Sequence, residues 1–377
     1  MKKHGLYGLL LAMILLPAMV SCQVPEPVRA VAVNLNIVPE GSPEELVVAV
    51  AVPKDYAERY TGFLHGVELA QEDIALMDLP IPLRVQVDDD EGDFSQAIAL
   101  AADYIADSNV LAVVGHWYSD ICSAATSLYR SGEKVLIVPT VSISSLLATE
   151  SDYIFRNIPD DAKMAEKMCE LARTQGAKSV AIYYEDSAYG FDMSAHLQNL
   201  IGKTGMSAID RVCSPNESDM QDYYKKWKAL GVDTVMMVCN AEEGIGLIRN
   251  LENMGFEGSF ICSDGMDSES VFHNLKSAKS QIIICSIFDS EQSSANLKAF
   301  GKRYEEAFGN APDVWAIQGY DSVMIVANAV QEKGIQSSRE LSAYFRTSRD
   351  LQSLYGATFF DESNEINGKP IYYKTLD

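Results

Sequence analysis

From Leu46 onward the chain alternates between short apolar runs and longer stretches with apolar residues at helical spacing. Leu46–Pro53 predicts a strand, Tyr60–Met77 a helix, Leu83–Asp88 a strand and Phe94–Asp107 a helix. Val110–Gly115 is apolar without alternation, as a strand covered on both faces should be. Ile121, Ala124, Ala125 and Leu128 follow at helical spacing behind Ser119, a residue suited to a helix N-cap. A strand at Val135–Pro139 leads into Thr140-Val141-Ser142. A second series starts near Asp160. Helices at Ala162–Gln175, Tyr189–Lys203, Met220–Leu230 and Glu242–Met254 alternate there with strands at Ser179–Tyr184, Ser207–Cys213, Thr234–Cys239 and Ser259–Ser263. The remainder predicts a strand at Ile282–Phe288, helices at Ala295–Phe308 and Ile317–Lys333, and short strands near Phe359 and Tyr372.

Strands alternating with helices make right-handed βαβ units and parallel sheets. Two such series of similar length predict an α/β protein of two doubly wound lobes. The C-terminal remainder is too short for a third lobe, so it completes both sheets and the chain crosses between them more than once. Several crossovers form a multi-strand hinge over a cleft that can close. The expected boundaries are 46–157 with 287–366 for the first lobe, and 158–286 with 367–377 for the second. The length of 377 residues fits two such lobes and exceeds one compact core.

Ligands of open parallel sheets sit at the carboxyl ends of strands. The residues there are Ser119, Thr140 and Ser142 in the first lobe, and Glu185-Asp186, Asn240 and Asp264-Gly265 in the second. A helix beginning near Ser119 adds unpaired N–H groups and the positive end of its dipole, enough for one carboxylate. Hydroxyls and amides on one side, with acids and an amide on the other, suit a zwitterion.

The first 22 residues form an export leader: Lys2, Lys3 and His4, then the apolar run Leu6–Leu16, too short to span a bilayer, then Met19-Val20-Ser21-Cys22. A Cys after a small residue is similar to a bacterial lipoprotein cleavage box, which implies an acylated Cys22 as the new N-terminus. An ordinary signal peptide is the alternative. Residues 23–45, with four prolines, read as a tether with a reach of about 25–30 Å if flexible; Ala30–Val38 could instead add a strand.

The formal net charge of −23 argues against nucleic acid and against charge-driven docking on an anionic membrane. The six cysteines besides Cys22 either pair, as an exported protein allows, or stay as buried thiols. None has metal-ligand spacing, so neither metal nor cofactor is expected. The chain has no G-x-S-x-G elbow, no P-loop and no complete G-x-G-x-x-G, and its five histidines pair with no nucleophile at any recognisable spacing. An enzyme is not expected.

Further along, Val113-Val114-Gly115-His116 with Ser119, Leu136–Pro139 followed by Thr140 and Ser142, and Tyr153-Ile154-Phe155-Arg156 carry a resemblance. Asp186-Ser187-Ala188-Tyr189-Gly190, Asp264-Gly265, Gln318-Gly319-Tyr320-Asp321 and Gly356–Asp361 extend it. In order and spacing the chain after about Leu46 resembles the leucine/isoleucine/valine-binding type of periplasmic receptor, the type I binding-protein fold. The resemblance implies a small-molecule ligand, an amino acid or relative, delivered to an ABC transporter permease by a lipid-anchored protein of the bacterial cell envelope. A sensing receptor of the same build is the alternative.

It further implies that Ser119 and the Thr140/Ser142 loop hold the ligand carboxylate. Asp264 and a loop carbonyl near Thr140 would hold its ammonium, with Tyr189 closing over it. The chain departs from the family at Asn240, where an aromatic is common, and at Asp264, which replaces a longer Glu. Trp117 and Tyr118 are bulky at the mouth and are candidate contacts. A branched-chain ligand therefore does not follow. Tyr60 and Tyr320 read as packing, His116 as a hydrogen-bonded structural residue, and Arg156 as a brace near the first crossover.

Overall fold

The computed structural model describes residues 44–289 and 294–376. The leader, Cys22 and all but the end of the tether, including Ala30–Val38, lie outside the described residues.

The first strand, β1 (Leu46–Val52), shows why an unbroken apolar run was needed. Leu46, Val48, Val50 and Val52 enter one core while Val47, Ala49 and Ala51 enter another on the opposite face. Around it run α1 (Lys54–Tyr60), α2 (Phe63–Leu76), β2 (Leu83–Asp89), α3 (Phe94–Ala106), β3 (Val110–Gly115), α4 (Ser119–Ser131), β4 (Val135–Val138) and β5 (Ile154–Arg156). These strands form a parallel sheet in the order β2-β1-β3-β4-β5.

The second lobe follows with α5 (Asp161–Thr174), β6 (Ser179–Tyr184), α6 (Ala188–Thr204), β7 (Ser207–Cys213), α7 (Glu217–Leu230), β8 (Thr234–Val238), α8 (Ala241–Asn253), β9 (Ser259–Cys262), α9 (Glu269–Asn274) and β10 (Ile282–Ser286). The chain then returns to the first lobe as α10 (Ala295–Phe308), α11 (Val314–Lys333), α12 (Ser338–Thr347) and a small antiparallel sheet of β11 (Leu351–Ser353), β12 (Gly356–Phe360) and β13 (Ile366–Asn367). Finally β14 (Tyr372–Leu376) pairs antiparallel with β10, giving the order β14-β10-β9-β8-β6-β7. The architecture is the α/β pair of parallel-sheet lobes read from the sequence.

The helix expected over Tyr60–Met77 is α2, and α1, which ends where that helix was expected to begin, was not anticipated. Thr61 is extended, at φ −144° and ψ 160°. Its hydroxyl donates to the Ala57 carbonyl at 2.9 Å and accepts from the Phe63 amide at 3.3 Å, which ends one helix and starts the next. The strand expected near Phe359 is β12, but its partners β11 and β13, and the short α9 and α12, were not anticipated, since elements of a few residues carry little periodic signal.

The chain passes between lobes after β5, after β10 and after β13. Three basic side chains pair with acids at these crossings. Arg156 grips Glu365 and donates to the Ile143 carbonyl at 2.6 Å, the brace expected of it. The Lys369 ammonium lies 2.9 Å from Asp321 and donates to Gln318 Oε1 and the Asn157 carbonyl. Lys374 pairs with Asp267 at 2.8 Å. The six cysteines among the described residues are free thiols, all buried except Cys213.

Candidate functional site

A cavity of about 590 Å³, counting the part open to solvent, lies between the lobes. All eight residues nominated from the sequence line it. Trp117, Tyr118 and Ser119 come from the β3–α4 turn and Thr140 and Ser142 from the loop after β4. Tyr189 comes from the start of α6, Asn240 from the turn before α8 and Asp264 from the turn after β9.

On the first-lobe side, the N-cap position of α4 is Tyr118, and Ser119 is the first helical residue, one step later than its residue type suggested. The Ser119 hydroxyl makes no hydrogen bond to the described residues. Asp120 Oδ1 takes the Ile121 amide at 2.9 Å and the Tyr118 carbonyl takes that of Cys122 at 2.8 Å. The amides of Ser119 and Asp120 remain open donors at the positive end of the helix. The turn beneath is rigid: buried His116 sits between Asp90 at 2.8 Å and the Tyr129 hydroxyl at 3.0 Å, the structural role expected for it. The Thr140 hydroxyl lies 3.3 and 3.1 Å from the carbonyls of His116 and Trp117, so its proton holds this turn and its lone pairs face outward.

On the second-lobe side, Asp264 is buried, with the Tyr189 hydroxyl 3.2 Å from Oδ1. The same hydroxyl is 2.6 Å from Ser263 Oγ. Burial pushes the Asp264 carboxyl up to about 6, partly offset by the Tyr189 hydroxyl and raised further by the neighbouring charge of Asp267. Gly265 is required beside it: a Cβ there would stand 2.5 Å from the Cys239 carbonyl oxygen. Asn240 is committed within the fold, its Oδ1 capping Glu243 at 3.1 Å while its backbone and side-chain N–H groups reach Glu185 Oε2 at 2.7 and 2.8 Å. Glu185 also accepts from the Ser187 hydroxyl at 2.7 Å, and burial raises its carboxyl above the ordinary range.

An aromatic wall completes the cavity. Trp117 has its ring centroid 5.6 Å from Tyr56 and 5.1 Å from Trp315, and Tyr56 is 5.9 Å from Tyr118. Sequence reasoning missed Tyr56, Asp120 and Trp315, and left Glu185, Ser187 and Gly265 out of the contact set. Tyr56 stands just past the carboxyl end of β1, where the strand-end rule would have found it. Trp315 comes from α11, far along the chain, with no local signal. No Lys, Arg or His among the described residues lines the cavity.

The lobes touch across its rim. Tyr189 packs against the cores of both. Ser144, from the loop after β4, gives its amide and hydroxyl to Asp192 of α6 at 2.9 and 3.0 Å, and its hydroxyl is 2.9 Å from His196 Nε2.

The family model described as "Periplasmic binding protein" matches residues 55–375. This chain is a member of the periplasmic binding protein family. The chain is similar to the leucine-, isoleucine-, valine-, threonine- and alanine-binding protein of Pseudomonas aeruginosa, at 21% identity over 74% of either chain. Among solved structures, an ABC transporter substrate-binding protein from Desulfitobacterium hafniense in complex with Leu matches with TM-score 0.77 and 24% identity, over 89% of this chain and 98% of that one. A solute-binding protein of an ABC transporter from Rhodopseudomonas palustris, in complex with 3,4-dihydroxybenzoic acid, matches with TM-score 0.78 and 20% identity, over 88% and 93%. Two periplasmic binding proteins of one fold thus carry an amino acid in one case and an aromatic acid in the other. The ligand of this family member has to be argued from its own cavity.

Proposed function

We propose that this protein is the solute-binding component of an ABC transporter, taking an amino acid into the interlobe cavity and handing it to a membrane permease. The observation that carries this reading is the division of the cavity between a helix start with open N–H groups and a buried acid without a basic partner among the described residues. The carboxylate of the ligand would take the α4 amides and the Ser119 and Ser142 hydroxyls, with no arginine needed. Its ammonium would lie on Asp264, with Tyr189 held over both. Benzoate-type ligands fit the aromatic wall but leave Asp264 unpaired, which costs several kcal/mol for a buried charge. In this reading the lobes comprise 46–157 with 287–366 and 158–286 with 367–377, and an acylated Cys22 tethers them to the outer face of a bacterial membrane. No helix among the described residues is long and apolar enough to cross one.

Isothermal titration of the purified protein with a panel of amino acids tests this. At least one should bind at micromolar strength, about −8 kcal/mol. Asp264→Ala should weaken it by about a hundredfold or more while the protein still melts cooperatively. Failure of every amino acid to bind at millimolar concentration would count against the proposal.

A further inference from the structure

The cavity contains more negative charge than a simple zwitterion can balance. Asp264 and Glu185 both line it, both are largely withdrawn from water, and neither has an ion-pair partner among the described residues. A third acid, Asp120, also lines it but is exposed at the start of α4. Asp264 belongs with Tyr189 and Ser263. Glu185 lines the same cavity as Tyr118 and Tyr56, and its charge opposes the ionisation of both, as it does that of Tyr189. The three hydrogen bonds that Glu185 accepts, from Ser187 and twice from Asn240, come from neutral donors. They satisfy its lone pairs and leave its charge in place. An α-ammonium on Asp264 and an α-carboxylate on the α4 amides would still leave Glu185 facing the cavity uncompensated when the lobes shut. The same cavity is walled by the rings of Tyr56, Trp117, Tyr118 and Trp315, whose faces attract cations.

Resting on the proposal of amino-acid binding, we infer that the ligand is a cationic amino acid, with its side-chain charge held between Glu185 and this aromatic wall. Glu185 then sets specificity, while Asp264 and the α4 start serve the backbone of any amino acid.

The test compares isosteres by titration calorimetry on the whole protein: arginine against citrulline, and lysine against norleucine, with leucine as reference. The charged member of a pair should bind at least tenfold more tightly. Glu185→Gln should erase most of that ratio while leaving citrulline affinity within a few fold; the wild-type comparison stands even if this variant misfolds. If citrulline, norleucine or leucine binds as tightly as its charged counterpart or better, the inference falls and amino-acid binding stands. If no amino acid binds at millimolar concentration, both fall.

Discussion

At the scale of single residues, Asp264 combines poor placement for stability with good placement for binding. Its carboxyl is pushed up from 3.8 to about 6 because burial removes water and no cation among the described residues replaces it. Raised above its unfolded value, it favours the fold in its protonated form, so its charge costs stability as pH rises through about 6. At pH 7.5 Asp264→Asn should therefore stabilise the free protein, by on the order of 2–3 kcal/mol from the size of that shift. Thermal melts of the two proteins check this, and a lower melting temperature for the variant would contradict it. Binding runs the other way. An ammonium needs the carboxylate, so affinity should be about tenfold weaker at pH 5 than at pH 7.5, with proton uptake by the protein as ligand leaves. Calorimetry at the two pH values, in buffers of different ionisation heat, would show it.

The glycines of this site work at the same scale. Gly190 and Gly265 each bring backbone within a Cβ's reach of a facing carbonyl, Glu185 in one case and Cys239 in the other. Both stand next to a side chain that the cavity uses, Tyr189 and Asp264, so the close approach places those side chains. In the sequence these positions stand as Tyr189-Gly190 and Asp264-Gly265, within the runs that carry the family resemblance.

At the scale of elements, two contacts have measurable consequences. α2 and α11 approach so closely at Gly66 that a Cβ would sit 1.9 Å from the Ala316 carbonyl oxygen. Gly66→Ala gains about 1 kcal/mol of helix propensity. It should still lose on balance, by roughly 1–3 kcal/mol, because the helices must part. Urea unfolding would report the sign. Across the rim, Ser144 and Asp192 join the first lobe to α6. Asp192→Ala removes the acceptor of two hydrogen bonds that exist only while the lobes meet. Ligand affinity should drop about 3- to 30-fold, the equivalent of roughly 0.5–2 kcal/mol, with the melting of the free lobes unchanged. Small-angle scattering should show the variant more extended at equal ligand occupancy, and unchanged affinity would mean that closure does not depend on this contact.

At the scale of the whole molecule, the legible part was the part with a period. Runs such as Leu46–Val52 and Val235–Val238 are apolar without interruption because helices cover both faces of each sheet. That one fact yields the parallel sheets, and the sheets yield a cleft at their carboxyl ends. Eight residues far apart in sequence could thus be assigned to one cavity. What lay hidden arises from pairings with no local trace. Trp315 reaches the cavity because α11 packs on α2, and Lys369 finds Asp321 only through the third crossing. The break at Thr61 depends on one hydroxyl serving two backbone groups. The character of Glu185 was invisible for another reason: an acid at a strand end is ordinary, and only the absence of a neighbouring base makes this one informative.

The three crossings also bear on how the molecule is made. β14, among the last residues of the chain, forms the outer edge of a sheet whose first strand, β6, was laid down nearly two hundred residues earlier. No single cut can separate one half from the other as an intact folding unit. Until its tail has emerged from the synthesis machinery, the second half carries an unfinished rim along β10.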